Sequence, residues 1–280
     1  MIVRTAFLPR GSFRRIVGPP PIMANAYYQP GEERALKVQD LFSQIARRYD
    51  LINDLQSFGL HRYWKRAVLR LCRLDAGEPA LDVCCGTGDL TRALARGGGK
   101  VVGLDFNSAM LEVARSKPAL AALPEVVGVA PGAGTIEYLC GDALHLPFPD
   151  ASFAVVTMGY GLRNLADFRR GVAELARVLR PGGRLVILDF GKPSNPLWRA
   201  CYFQYLRWVV PVFGRWFCRN PDAYSYILES LLHYPAQQGV DALLREAGLV
   251  NTRVHDFLGG VMGINYAERS GVPLVSKPEV

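Results

Sequence analysis

Apolar residues along this chain recur at two periods, one helical and one alternating, that follow each other in a regular order. Val38, Leu41, Phe42, Ile45 and Tyr49 keep helical spacing, so Gly31–Arg48 is predicted as an amphipathic helix. The more polar segment 49–60 interrupts it, and a second helix is predicted from His61 to about Cys72. From Pro79 the pattern reads strand 80–84, helix 89–96, strand 100–105, helix 107–116, strand 135–140, strand 153–158, helix 164–179 and strand 184–190. Such alternation predicts a doubly wound, mostly parallel α/β sheet. Pro124–Thr135, rich in glycine and proline with few charges, is predicted as a loop insertion. A helix over 236–247 and strands near 252–258 and 261–268 close the chain, with the final strand expected to insert antiparallel.

One stretch departs from this alternation. Ten aromatic residues fall between Trp198 and Tyr226, interleaved with Arg199, Arg207, Arg215 and Arg219. This composition predicts an amphipathic lid over about 195–234 that touches a membrane surface, with some of its rings in the core.

The net charge of +8 resembles a nucleic-acid signal until its placement is considered. Arg4, Arg10, Arg14 and Arg15 lie in the first 31 residues, which hold no Asp or Glu. The remainder carries about +4 with no basic block, which argues against nucleic acid. Residues 1–31 read as a leader outside the single domain 32–280, and an organelle transit peptide and a later start at Met23 are weighed equally. No apolar run has the length to span a bilayer. Six cysteines without Cys-x-x-Cys spacing read as reduced thiols. Four histidines offer no metal-ligand spacing.

The chemistry concentrates after the first strand of the alternation. Asp82 lies near its end, and Gly86-Thr87-Gly88 turns the chain into the next helix. Glycine at 86 and 88 permits a tight turn and a close ligand. Asp105 ends the second strand, where a carboxylate can accept both hydroxyls of a ribose. A dinucleotide fingerprint needs a third glycine where Thr91 stands, and Asp89 at the helix start would repel pyrophosphate. Asp82 adds a carboxylate suited to a cationic or zwitterionic ligand, such as S-adenosylmethionine. Asp142 follows the third strand and can accept from an adenine amine, while Ala143 can offer its N–H to a ring nitrogen. Gly159 and Gly161 keep the next strand end open, and Tyr160, Arg163 and Asn164 present polar groups at the crevice mouth.

Three stretches carry a specific resemblance: Tyr49-Asp50-x-Ile52-Asn53-x-x-x-Ser57-x-x-x-His61-x-x-Trp64, Leu81–Thr91, and Arg177-Val178-Leu179-Arg180-Pro181-Gly182-Gly183. Over roughly 38–269 the chain resembles the UbiE/MenG-type quinone C-methyltransferases. Cys84-Cys85-Gly86, Met158–Asn164, Ile187–Phe190 and Gly259–Gly263 look most like the plant and algal demethylphylloquinone branch. Gln56, where the signature has an apolar residue, and Ala154, where it has an acid, are departures.

The resemblance implies a Rossmann-like class I methyltransferase sheet, with helices added at the N-terminus and a helical lid. It implies that Thr87, Asp105, Asp142 and Ala143 contact S-adenosylmethionine, and that Gly159 does so through its backbone. The expected reaction is methyl transfer to a ring carbon of a prenylated naphthoquinol; a benzoquinol precursor of ubiquinone is the alternative. Arg163 is expected to stabilise the naphtholate, with His61 or Asp50 as the base. Tyr49, Asp50, Asn53, His61 and Trp64 are expected on a substrate-side lid. The motifs point to a chloroplast, with mitochondrion or cytoplasm as alternatives, and the sequence leaves a homodimer open.

Overall fold

Leu81 and Val83 point to one side of a strand and Ala80 to the other, and all three are buried. A strand covered on both faces must lie in the middle of a sheet. In the computed structural model of the protein, which describes residues 32–118, 120, 134–208 and 222–271, β1 (Pro79–Val83) holds that place. It pairs in parallel with β2 (Lys100–Asp105) on one side and β4 (Phe153–Gly159) on the other. β3 (Thr135–Cys140) forms one edge. β5 (Leu179–Phe190) continues beyond β4. β7 (Met262–Arg269) then pairs antiparallel with both β5 and the edge strand β6 (Leu249–Phe257). The order is therefore β3-β2-β1-β4-β5-β7-β6. The parallel order reverses between β1 and β4, where open α/β sheets place a ligand crevice beyond the strand ends.

Two apolar layers hold the helices to the sheet. Trp64, Val68 and Cys72 of α3 (Leu60–Cys72) pack with Leu90 and Leu94 of α4 (Asp89–Arg96) on one face. Val172 and Leu175 of α6 (Phe168–Val178) pack with Val240 and Leu244 from a C-terminal helix, Ala236–Glu246, on the other. α5 (Ser108–Ser116) flanks β3, capped by Asn107, whose side chain accepts from Met110 N.

The differences from the expected elements have local causes. α1 (Glu32–Ile45) runs into a 3-10 turn over Ala46–Arg48, and segment 49–60 is no break: α2 (Tyr49–Gln56) forms there. It ends at Gln56, and Gly59, with a φ of +76°, starts α3 in a new direction. The helix expected over 164–179 starts only after Asp167, which caps it by accepting from Arg170 N at 3.0 Å. The strand expected over 184–190 begins at Leu179, with irregular pairing where Arg180–Gly183 intervene.

The aromatic stretch is helical at both described ends, α7 (Pro196–Trp208) and α8 (Asp222–His233), and Ala236–Glu246 is α9. Tyr202 and Leu206 are buried, while Trp198 and Trp208 are exposed. α7 is thus partly core and partly surface. The leader 1–31, most of the loop insertion 124–135 and the 209–221 part of the lid lie outside the described residues. Among the described residues, no helix is long and apolar enough to cross a membrane.

Candidate active site

Asp82 sits beneath the loop that leaves β1, buried, and lines neither of the two cavities described below. Thr91 Oγ1 donates to its Oδ2 at 2.6 Å and Thr157 Oγ1 to its Oδ1 at 2.8 Å. Burial pushes its carboxyl up to about 6, against the pull of those two bonds. The expected role toward a cationic ligand is corrected: Asp82 braces β1 against α4 and β4, and Thr91 stands where it does to serve it.

Above this brace the loop turns through Cys84, Gly86 and Gly88, all with positive φ. Gly88 does not line a cavity; a Cβ there would run into the Tyr138 hydroxyl. Gly86 does face one. A Cβ on it would meet only the Tyr49 ring, at 4.0 Å. Its N–H donates to Asp105 Oδ2 at 2.7 Å, and Asn107 N donates to Oδ1 at 2.9 Å. Each Asp105 oxygen keeps accepting capacity beyond these bonds. Burial raises the Asp105 carboxyl above its ordinary range.

A cavity of about 670 Å³ opens at these strand ends, and Gly86, Asp105, Asp142, Ala143, Gly159 and Asn164 all line it. Asp142 accepts from Leu144 N at 2.9 Å and contacts His145 Nδ1 at 3.0 Å. Gly159 leaves open space, since a Cβ there would meet only Leu90, at 3.8 Å. Acceptors on two strand ends with bare backbone between them fit the ribose and adenine of S-adenosylmethionine. Asn164, expected on the substrate side, lies here instead because the 3-10 turn Leu162–Asn164 points it back over the sheet edge.

Thr87 and Asp50 take a different part from the one expected. Thr87 is 2% exposed and its Oγ1 donates to Asp50 Oδ1 at 2.6 Å. Asp50 Oδ2 pairs with Lys117 at 2.7 Å. Neither residue lines this cavity or the apolar one described below, so the Thr87 hydroxyl is turned to Asp50 rather than into either space and Asp50 is not placed there to act as a base. Together they tie α2 to the glycine loop. Lys117 and Lys65 also pair with Asp89, at 2.5 and 2.9 Å, and hold its carboxyl well below the usual range. The expected repulsion of pyrophosphate by Asp89 therefore has little force, because two ammonium groups compensate the charge.

A second cavity, about 480 Å³, lies between α1–α3 and α7. Phe42, Tyr49 and Tyr160 line both cavities and form the wall between them. Phe190, Trp64 and Leu206 make this second space apolar, and Asn53, His61, Tyr160 and Arg163 bring polar groups to it. Tyr49 bonds with Asn53, and burial raises its phenol. Tyr160 has a φ of +61°, a sparsely populated conformation that keeps its ring at the wall.

His61 is buried, and its Nδ1 lies 2.9 Å from Ser57 Oγ. The Ser57 hydroxyl donates to Asn53 O at 2.6 Å. Its single proton is used there, so Nδ1 carries the proton in the His61–Ser57 bond and Nε2 keeps a lone pair. Asp54, clamped by Arg62 through two bonds, stands 3.6 Å from Nε2. Burial and the nearby Lys65 lower the imidazole below its ordinary value of 6.5, so it is neutral at pH 7. A neutral imidazole with a free Nε2 beside a carboxylate can take up a proton.

Arg163 is not a lone cation. Its Nη1 donates to Asp189 Oδ1 at 2.9 Å and to Tyr160 O at 2.8 Å, and its backbone N donates to Asp189 Oδ2 at 3.1 Å. The guanidinium lies 4.8 Å from the Phe190 ring centre. The expected role is corrected to that of a compensated donor fixed in place. Asp189 was missed in the sequence, although a carboxylate ending the apolar run Leu185–Leu188 is itself a signal.

The family model described as the ubiE/COQ5 methyltransferase family matches residues 30–269. A demethylmenaquinone methyltransferase of Staphylococcus aureus is 37% identical over 238 residues, covering 83% of this chain and 94% of that protein. Among solved structures, an S-adenosylmethionine-dependent methyltransferase of Thermotoga maritima aligns with a TM-score of 0.54 at 17% identity, covering 82% of this chain and 99% of that one. A Haemonchus contortus phosphoethanolamine N-methyltransferase in complex with S-adenosylmethionine aligns at 0.51 and 16%, covering 74% and 52%. These two likenesses concern the fold.

Proposed function

The chain belongs to the ubiE/COQ5 methyltransferase family, and from that membership we propose that it methylates a ring carbon of a prenylated naphthoquinol. It is an S-adenosylmethionine-dependent methyltransferase. One observation carries the substrate reading: an apolar cavity meets the cofactor cavity at Tyr49 and Tyr160, so a flat ring in one can face a methyl donor in the other. The likeness to a demethylmenaquinone methyltransferase supports a naphthoquinol over a benzoquinol.

Asp105, Asp142, Ala143, Gly86 and Gly159 would hold S-adenosylmethionine, which supplies an electrophilic methyl on a sulfonium. A quinone ring is electron-poor, whereas an ionised quinol pushes charge onto the carbon beside its oxygen, so the reduced form is the substrate, and the carbon that gains the methyl gives up its hydrogen as a proton to restore the aromatic ring. His61 Nε2 accepts the proton from a ring hydroxyl, directly or through water, and Asp54 stabilises the imidazolium. Such a base contributes ~10²–10⁴-fold. The apolar walls fix the ring's plane, and orientation of this kind is worth about 7–11 kcal/mol. Arg163, steadied by Asp189 and Phe190, presents donors near the developing naphtholate.

The finer reading is a phytyl-bearing substrate, handled in a chloroplast at a membrane surface. The branch-specific motifs and the acid-free, Arg-bearing leader support the first two parts. The mouth of the apolar cavity supports the third, because Phe58, Leu60, Trp198 and Leu258 line it and are exposed. A cavity of about 480 Å³ admits a fused ring but not a long isoprenoid tail as well, so the tail leaves through that mouth.

The test is purified protein with methyl-labelled S-adenosylmethionine and 2-phytyl-1,4-naphthoquinone, with and without reductant. Label should enter the ring only when the quinone is reduced. Equal labelling of oxidised quinone, or none of either form, would overturn the proposal.

A further inference from the structure

The turn that follows β3 is latched at three levels. His145 N donates to Asp142 O at 3.1 Å and closes the backbone, Leu144 N donates to Asp142 Oδ1 at 2.9 Å, and His145 Nδ1 lies 3.0 Å from Asp142 Oδ2. A carboxylate accepts and does not donate, so Nδ1 carries the proton of this last bond. Nε2 is then left with a lone pair, and Arg170 Nη2 donates to it. Arg170 stands in the first turn of α6, and its Nε also donates to Leu144 O at 3.1 Å. Asp142, Leu144, His145 and Arg170 all line the cavity at the strand ends.

We infer that His145 and Arg170 are positioning residues for the cofactor, which fix the Asp142 carboxylate in the orientation that accepts from the adenine amine. The inference rests on the reading of Asp142 as the adenine acceptor and deepens it. Packing does not hold this carboxylate, since the side chains of Asp142 and His145 are 45% and 61% exposed. Leu144 N restrains one of its oxygens and His145 the other. The imidazole is in turn bonded at both nitrogens, so it cannot rotate away without breaking a contact. Each carboxylate oxygen still has accepting capacity for the amine.

The latch belongs to the cavity and not to the core. Neither His145 nor Arg170 is part of the two apolar layers, and both are exposed. What the chain Arg170–His145–Asp142 orders is the rim that a ligand meets. Ordering it before the ligand arrives lowers the entropy lost on binding.

Calorimetry on the full chain tests this with S-adenosylhomocysteine and its 6-deamino analogue, which carries hydrogen in place of the adenine amine. Wild-type protein should bind the first about tenfold more tightly. His145→Ala and Arg170→Met should each weaken S-adenosylhomocysteine about fivefold and leave the deamino analogue bound as before. The ratio of the two ligands cancels any general effect of the lost Arg170 charge. His145→Asn, whose amide can present an N–H in place of Nδ1, should restore the ratio. Melting temperatures should hold in all three variants. Equal weakening of both ligands would overturn the inference and mark the two residues as structural. A wild-type preference that survives both His145→Ala and Arg170→Met would overturn it as well, with Asp142 still the adenine acceptor. Wild-type protein that binds both ligands equally would refute the placement of the amine at Asp142, and the inference with it.

Discussion

Ser57 sets the tautomer of His61. Its hydroxyl proton goes to Asn53 O at 2.6 Å, so the 2.9 Å contact to His61 Nδ1 has the imidazole as donor and leaves Nε2 as the base. If His61 deprotonates the quinol, His61→Gln should lower kcat by ~10²–10³-fold with S-adenosylmethionine affinity unchanged. The imidazole is lowered from 6.5, so the acid limb of the kcat/KM profile should fall below that value. Activity is full above the limb, where Nε2 is free, and is lost as pH falls through it. A pH–rate profile that keeps its acid limb in His61→Gln would exclude this residue as the base.

Arg163 and Asp189 form an ion pair in which both side chains are almost fully buried. Removing one partner strands the other charge, at a cost of about 3–5 kcal/mol. Asp189→Asn should therefore unfold at markedly lower denaturant, and Arg163→Met should do likewise. The double variant Arg163→Met/Asp189→Leu should lose less stability than the two singles added together. Additive losses in denaturant titrations would show that the pair is not coupled.

How much of this was legible in the sequence depends on how far apart the partners lie. Asp105 and Asp142 could be placed because a carboxylate just past a strand is a local signal, and both line the cavity at the strand ends. Thr87 and Asp50 are 37 residues apart, and nothing in either motif shows that each uses up the other. Arg163 and Asp189 are separated by 26 residues and meet only because β4 and β5 are neighbours. Asp82 misled for a different reason. Strand position was visible, but the bonds that Thr91 and Thr157 make to its carboxylate were not. The helix over Tyr49–Gln56 was obscured by its polar residues, several of which turn toward the cavity or the glycine loop.

Asp82 gives a stability prediction with a definite sign. Its folded carboxyl titrates at about 6 against an unfolded value of 3.8, so the folded state binds the proton more tightly. The stabilisation from this group is present below 3.8 and is lost as pH rises through about 6. Asp82→Asn removes the titration, so unfolding free energy should vary less between pH 4 and 7 than in wild type. An unaltered pH dependence in that variant would show that Asp82 stays ionised throughout.

Asp105 accepts from Gly86 and Asn107 and retains capacity for a ribose. Asp105→Ala should weaken S-adenosylmethionine by about 1.5–3 kcal/mol, the worth of hydrogen bonds to a charged acceptor. The same change frees two loop N–H groups, so calorimetry should be paired with a melting curve. Unchanged affinity would remove Asp105 from the cofactor site.

The cavity mouth presents apolar side chains in a manner that favours a lipid surface. Phe58 is 78% exposed and Leu258 53%, and each has a φ of +50°. A non-glycine residue in that conformation is uncommon, and two bulky apolar ones flank the same opening. Trp198 Nε1 donates to Leu258 O at 2.9 Å, which fixes the loop on which Leu258 projects. Rings and aliphatic groups presented this way gain from burial at the headgroup boundary. Phe58→Ser combined with Leu258→Ser should reduce co-sedimentation with vesicles and raise KM for a phytyl-bearing quinol presented in them. Melting temperature should be unchanged, because neither side chain is in the core. Undiminished vesicle binding in this double variant would show that the mouth is not the membrane-facing surface.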